Sequence, residues 1–324
     1  MKRKKYLYLI ICMLLLIIAI SAYKMLEVGN REEKKQISVI VDNSNDLRWS
    51  AFKEGLKQGE IETDSQVNLV STEKLYSWRE EKKLIQREIE NGSKAIILEV
   101  TEDSNVADYF EELSKNIKIV LLNSNIYAQR EYTLVTPDNE KIGKILGEEI
   151  LKEEAKKATS KKLRVGVFCG NEKQDGMAKR LQSFMKVLGE KEIKPVWVIY
   201  NRRENSYLSL ENKLSKEQVD VLVCLGNVET ELAVDELEKQ KTIESKLYGV
   251  GCSEKLIYHL DKGNIEKLLA PNEFRLGYQS VVSAKKMMDY YLQKDSTGFI
   301  DFTLVDKDSV YDKENQKVLF PIVQ

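Results

Sequence analysis

The sequence predicts an α/β protein: two doubly wound, parallel-sheet halves behind one N-terminal transmembrane helix. Three observations carry this. Short β-branched runs alternate with stretches of helical apolar spacing along most of the chain, the pattern of parallel strands joined by crossover helices. The alternation restarts at Tyr132, which makes two such halves rather than one long sheet. An uncharged run follows the four charges at positions 2 to 5.

That run, from Tyr6 to Tyr23, is about 18 residues long, just enough to span a bilayer as a helix. Basic residues before it place the N-terminus in the cytoplasm and everything after Tyr23 outside. Small residues near its end (Ala19, Ser21, Ala22) also fit a cleaved signal peptide. Both readings export the rest of the chain. A lipoprotein signal is disfavoured, because Cys12 sits inside the apolar run and follows Ile11. Residues 24–36 are polar and charged and read as a tether.

The first strand is expected over 37–41. A polar turn follows (Asp42, Asn43, Ser44, Asn45, Asp46), and then helical spacing through Trp49, Phe52 and Leu56. In open α/β sheets, ligands bind at loops beyond the carboxyl ends of strands. This loop carries carboxylates, the Arg48 guanidinium and the Trp49 indole, which are binding groups without a catalytic set. Further strands are expected over 66–71, 95–98 and 117–122, with helices over 75–90 and around Val106, Tyr109, Phe110 and Leu113. The wholly apolar run Ala95, Ile96, Ile97, Leu98 fits a strand covered on both faces.

In the second half, strands are expected over 132–135, 163–168, 196–200, 219–225, 247–250 and 267–270. Helices are expected from Asp138, through Leu181, Phe184, Met185 and Leu188, around Leu232, Ala233 and Leu237, and over 274–292. The C-terminal stretch reads as short strands, including 302–305 and 318–323.

The chain has 324 residues, 51 basic and 52 acidic, for a net charge of -1. The two signs are spread evenly, with no sign of a nucleic-acid-binding surface. Cys169, Cys224 and Cys252 each follow or close an apolar run and read as buried small residues rather than a disulfide. A single histidine, His259, excludes a multi-His metal site, and it reads as a surface or half-buried residue. There is no GxGxxG, no GxxxxGK[ST] and no GxSxG, which disfavours nucleotide chemistry and the hydrolase elbow. No cofactor is expected, and an enzyme is the least favoured class.

Several local signatures then stand in order: Trp49, Phe52 and Gly55 after a strand; the run from Gly92 to Asp103; Asp138, Asn139 and Gly143; Gly170, Arg180 and Phe184; the stretch YGVGCSEKLIYHLDKGNIEKLLAPNEFRLGYQS; and Glu314-Asn315. Together, from about Ile37 to the C-terminus, they resemble the type I periplasmic-binding-protein family, the sugar-type solute receptors of ABC importers. The resemblance implies two lobes that close on a ligand through a hinge. It divides the chain into an anchor and linker (1–36), an N-terminal lobe (37–136 and 272–298) and a C-terminal lobe (137–271 and 299–324). It implies ligand contacts at Asp46, Arg48, Trp49, Glu99, Asn123, Tyr207 and Asn227.

Each of these has a plainer reading beside it. Trp49 shares a stripe with Phe52 and could be core. Arg48 could be solvated, and Asp42 and Asp46 could cap the helix start. Arg180 is expected to brace its own lobe. The chain also departs from the family pattern at Ala178, at Gly251 and Cys252, and at Pro271, where polar sugar contacts usually stand. Those departures, with Arg48 in the first loop, point away from a standard monosaccharide and towards a larger or anionic ligand.

The resemblance implies capture of a small polar, carbohydrate-like ligand outside the cytoplasm and delivery to an ABC permease. The alternative is a sensory subunit reporting to a membrane partner such as a histidine kinase. A LacI-like repressor is disfavoured, since a membrane segment stands where a DNA-binding helix-turn-helix would be.

Overall fold

The computed structural model describes residues 13–21, 34–75, 77–102, 106–156, 163–201, 206–240, 244–292, 294–295 and 298–321. The chain divides into two units, Met1–Lys35 and Gln36–Gln324. In the first, residues 13–21 form helix α1 and are exposed throughout. The rest of the expected span from Tyr6 to Tyr23 lies outside the described residues. Among the described residues, no helix is long and apolar enough to cross a membrane.

The second unit carries two sheets. Strands β1 (Gln36–Ile40), β2 (Gln66–Leu69), β3 (Ala95–Leu98), β4 (Lys118–Leu122) and β5 (Thr133–Val135) form one, wholly parallel, in the order β2-β1-β3-β4-β5. The other has the order β11-β10-β9-β8-β6-β7. It contains β6 (Val165–Cys169), β7 (Trp197–Tyr200), β8 (Val221–Cys224), β9 (Lys246–Val250) and β10 (Lys267–Pro271), all parallel. Strand β11 (Phe302–Val305) adds to its edge antiparallel to β10. Apart from β11 the two orders are the same, so each sheet reverses its strand order beside its first strand.

Alternate residues of each strand face opposite layers, and both layers are filled. In the first sheet, Ile37 and Val39 of β1 and Ala95 and Ile97 of β3 face a core that includes Phe52, Leu276 and Val281. Ile40, Ile96 and Leu98 face the other side, with Ile85 and Phe110. The second sheet repeats this: Val165, Val167, Val221 and Val223 face Ile142, Leu146 and Phe184, and Phe168, Leu222 and Cys224 face Leu210, Leu214 and Leu256.

Among the described residues, ten helices follow α1: α2 (Ser50–Thr63), α3 (Trp78–Glu90), α4 (Ala107–Leu113), α5 (Asn139–Ala155), α6 (Asp175–Gly189), α7 (Ser206–Lys216), α8 (Asn227–Lys239), α9 (Glu254–Lys262), α10 (Glu273–Asp289) and α11 (Lys313–Leu319). A 3-10 turn, Leu47–Trp49, precedes α2. Helix α2 packs on α10, and α5 packs on α6. Both pairs use glycine to bring backbones together: Gly55 meets the Phe274 carbonyl, and Gly143 meets that of Arg180.

Three segments pass between the sheets side by side. Pro137 bridges to Ile300, and the Asn272 amide donates to the Asp301 carbonyl at 3.0 Å.

Three expectations need correction. Val318 and Leu319 belong to helix α11, not to a strand; they are buried, and Leu319 joins the core beside Val305 and Val310 while Glu314 and Lys317 of the same helix pair in solvent. His259 is buried rather than surface or half-buried, with its Nδ1 2.9 Å from Asn264 Nδ2. Helix α7 was not anticipated, although Leu210 and Leu214, four residues apart, bury on its inner face. Among the described residues, Cys169 and Cys224 are buried and Cys252 is half-buried, and none of them is in a disulfide.

Candidate ligand-binding cleft

In a sheet of this strand order, a crevice opens at the carboxyl ends beside the first strand, where consecutive connections leave in opposite directions. Here both crevices contribute to one cavity of about 760 Å³, lined from the loops after β1, β3 and β4 of one sheet and after β6 and β8 of the other. That volume is in the range of small-molecule sites, roughly 300–1,000 Å³.

The loop after β1 is internally tied. Asp42 accepts from the Leu75 amide at 2.6 Å. Its carbonyl oxygen takes the Trp49 indole N–H at 3.0 Å and Arg48 Nη2 at 3.1 Å. Arg48 also lies 3.5 Å from the Asp42 carboxylate and 3.8 Å from that of Asp46, and its guanidinium carbon sits 4.6 Å from the Trp49 ring centre. The Trp49 ring packs on Phe52 with centroids 5.1 Å apart, and it is 3% exposed while lining the cavity. Asp46 caps the 3-10 turn by accepting from the Arg48 amide.

Glu99 leaves the end of β3 and accepts from Asn123 Nδ2 at 2.8 Å. Asn123 has a φ of 56°, a left-handed conformation that asparagine tolerates better than most residues. Burial pushes the Glu99 carboxyl above its ordinary range, against the pull of Arg48 and the Asn123 amide. From the second sheet, Glu229 enters in the first turn of α8 and accepts from Asn201 Nδ2 at 2.6 Å; burial raises it too. Glu273 enters in the first turn of α10. Burial and the charge of Glu99 push it up to about 7.

Arg180, from α6, is buried and donates to the Leu225 carbonyl and, at 3.1 Å from Nε, to Asn139 Oδ1. Asn139 in turn donates to Thr136 and to the Asn123 carbonyl. Burial lowers the guanidinium to about 10. The two sets of loops also touch directly: Asn171 Nδ2 donates to the Thr101 carbonyl at 2.8 Å, Gln174 Nε2 to the Val100 carbonyl at 3.0 Å, and Lys173 pairs with Glu102 at 2.6 Å.

The arrangement is rich in hydrogen-bonding groups. Among the described residues, no group of three or more His, Cys, Asp or Glu is placed to hold a metal ion.

A family model described as periplasmic binding protein domain matches residues 37–291. The chain belongs to that family. It is a family of extracytoplasmic, non-enzymatic solute binders, sugar binders among them. A search of curated proteins finds no match. Among solved structures, a carbohydrate transporter solute binding protein from Agrobacterium radiobacter, in complex with D-arabinose, superposes with a TM-score of 0.79 at 15% identity, covering 88% of this chain and 99% of that one. A Caulobacter myo-inositol binding protein, bound to myo-inositol, gives 0.76 at 14% identity, covering 89% and 98%. A sugar transporter from Clostridium phytofermentans gives 0.72 at 19%, covering 85% and 100%. At these identities the likeness establishes the fold.

Of the residues expected at the binding-protein site, Arg48, Trp49, Glu99, Asn123 and Asn227 line the cavity. Asp46 is not among its lining residues: its carboxylate is spent on the cap and on Arg48, and the loop presents Asp42 instead. Asn227 is engaged in the scaffold, since its Oδ1 accepts from the amides of Cys252 and Ser253 and its Nδ2 donates to Glu231. Tyr207 lies in α7, and its side chain falls outside the described residues. Arg180, expected as a brace, does brace Leu225 and Asn139 and also lines the cavity. The main omissions were Asn139, Asn201, Glu229 and Glu273. Of these, Glu229 stands five residues past the end of β8 and Glu273 two past the end of β10, each in the first turn of the helix that follows.

Proposed function

We propose that this protein captures a polyhydroxylated solute, a sugar or close derivative, in the cleft between its sheets and delivers it to an ABC importer. The observation that carries this is the cavity itself: polar and charged side chains from both sheets surround one space, with the Trp49 indole in its wall. Amide and carboxylate groups suit hydroxyls that both donate and accept, and an aromatic face suits the apolar face of a sugar ring. Relatives solved with D-arabinose and myo-inositol support the ligand class.

The same reading divides the chain into lobes, 37–136 with 272–298 and 137–271 with 299–324. Support for that division comes from the two separate sheets and the adjacent crossing segments at Pro137, Asn272 and Ile300. The contacts of Asn171, Lys173 and Gln174 with the loops after β3 are those of lobes drawn together. In this reading residues 6–23 hold the domain at the outer face of the membrane, supported by the basic start and the uncharged run.

Thermal unfolding against a panel of pentoses, hexoses, amino sugars, sugar acids and cyclitols tests this. A ligand present at about a hundred times its dissociation constant adds about 2.7 kcal/mol of stability and a clear rise in midpoint. A well-folded protein that responds to none of them would rule the reading out.

A further inference from the structure

Glu99, Glu229 and Glu273 reach the cavity from the end of β3 and from the first turns of α8 and α10. Among the described residues, none of the three has a cationic side chain within ion-pair distance. Arg48 and Arg180 act on them only from beyond ion-pair distance. Arg48 is shared between the carboxylates of Asp42 and Asp46, and Arg180 is spent on Asn139 Oδ1 and the Leu225 carbonyl. Asn123 and Asn201 give one amide hydrogen bond each to Glu99 and Glu229. Glu273 is less well served: its Oε2 is shut off from solvent and has no hydrogen-bond partner.

A carboxylate buried without a cation is costly unless something else supplies charge and donors. The helix N-termini at Glu229 and Glu273 offset part of that cost. They do nothing for Glu99, which follows a strand and lies close enough to Glu273 for the two charges to repel. A neutral sugar brings hydroxyl donors but no charge. An ammonium group brings both, with three donors on one nitrogen. The first-loop arginine, which by sequence suggested an anionic ligand, already lies beside two carboxylates, with its Nε buried and without a hydrogen-bond partner.

On the reading that this cleft binds a polyol, we propose that its ligand carries a protonated amine, as in an amino sugar or aminocyclitol, with the ammonium seated between Glu99 and Glu273. The hydroxyls then fall to Asn123, Asn201, Glu229 and the Arg48–Trp49 wall.

The test compares matched pairs on the full chain in detergent, by calorimetry and by intrinsic tryptophan fluorescence: glucosamine against glucose, galactosamine against galactose, and N-acetylglucosamine as the amide in which the charge is removed. The expected result is binding at least tenfold tighter for an amine than for its neutral partner, lost on acetylation. Glu273→Gln should erase that preference and leave the melting temperature of the free protein unchanged or higher. Neutral sugars binding as tightly as their amino counterparts would overturn the amine assignment and leave the polyol reading standing. No binding by any compound would overturn both.

Discussion

The side-chain amide of Asn171 donates to the backbone oxygen of Thr101 at 2.8 Å. The two residues stand on loops of different sheets, after β6 and after β3, and both line the cavity. Lys173 and Glu102, 2.6 Å apart, repeat the link one step further out, with Lys173 about half exposed.

These contacts hold the two sets of loops together without touching the core. A hydrogen bond of this kind is worth about 1 kcal/mol, and an exposed ion pair about 0.5 kcal/mol. The double variant Asn171→Ala with Lys173→Ala should therefore weaken ligand binding about tenfold, the equivalent of about 1.4 kcal/mol, mainly through faster release. Calorimetry would show it, and the melting temperature of the free protein should barely change.

Gly55 is required by the approach of α10 to α2. A Cβ there would lie 1.9 Å from the Phe274 carbonyl oxygen, which is backbone and cannot swing aside. Gly55→Ala should cost more than about 2 kcal/mol of stability. Urea unfolding of Gly55→Ala beside Gly189→Ala, where a Cβ meets nothing within 4 Å, separates the steric effect from the general effect of replacing glycine.

Glu81 gives a pH dependence independent of the cleft ligand. It is fully buried, and its Oε2 accepts from the Thr101 amide at 3.1 Å and hydroxyl at 2.7 Å. Its Oε1 has no partner, and burial pushes the carboxyl up to about 7. Between the ordinary carboxylate range and about 7, the folded protein keeps a proton that the unfolded chain has lost. The stability this group contributes is therefore full at low pH and is lost as pH rises through about 7. Glu81→Gln removes the charge and keeps an acceptor for Thr101. It should be more stable than the parent by about 1–3 kcal/mol at pH 8 and close to it at pH 4.5. Equal differences at the two pH values would contradict the assignment.

The strand-helix alternation was open to sequence reading because both sheets are covered on both faces, which makes their strands continuous apolar runs such as 95–98 and 221–225. The family resemblance pointed to Glu99 and Asn123, and for Glu99 the cost of burying a carboxylate at the end of an apolar strand pointed the same way. It misplaced the acid of the first loop. Asp42 and Asp46 flank the same turn, and only the fold shows that Asp46 turns back to the Arg48 amide while Asp42 lines the cavity. Glu229 and Glu273 escaped because an acidic residue in a first helical turn looks like favourable capping; what distinguishes them is the sheet facing them, which is not local in sequence. Helix α11 was misread because its apolar residues are adjacent, Val318 and Leu319, and adjacent apolar residues do not reveal a helical period.

The most direct test of the account is calorimetric titration of pentoses, hexoses, cyclitols and their amino derivatives into the parent protein and into Glu99→Ala. The account predicts one site per chain for at least one of these compounds. It predicts a loss of a hundredfold or more in Glu99→Ala, about 2.7 kcal/mol, in a variant that still unfolds cooperatively. Binding that survives Glu99→Ala intact, or a folded parent protein that takes up none of the compounds, would contradict it.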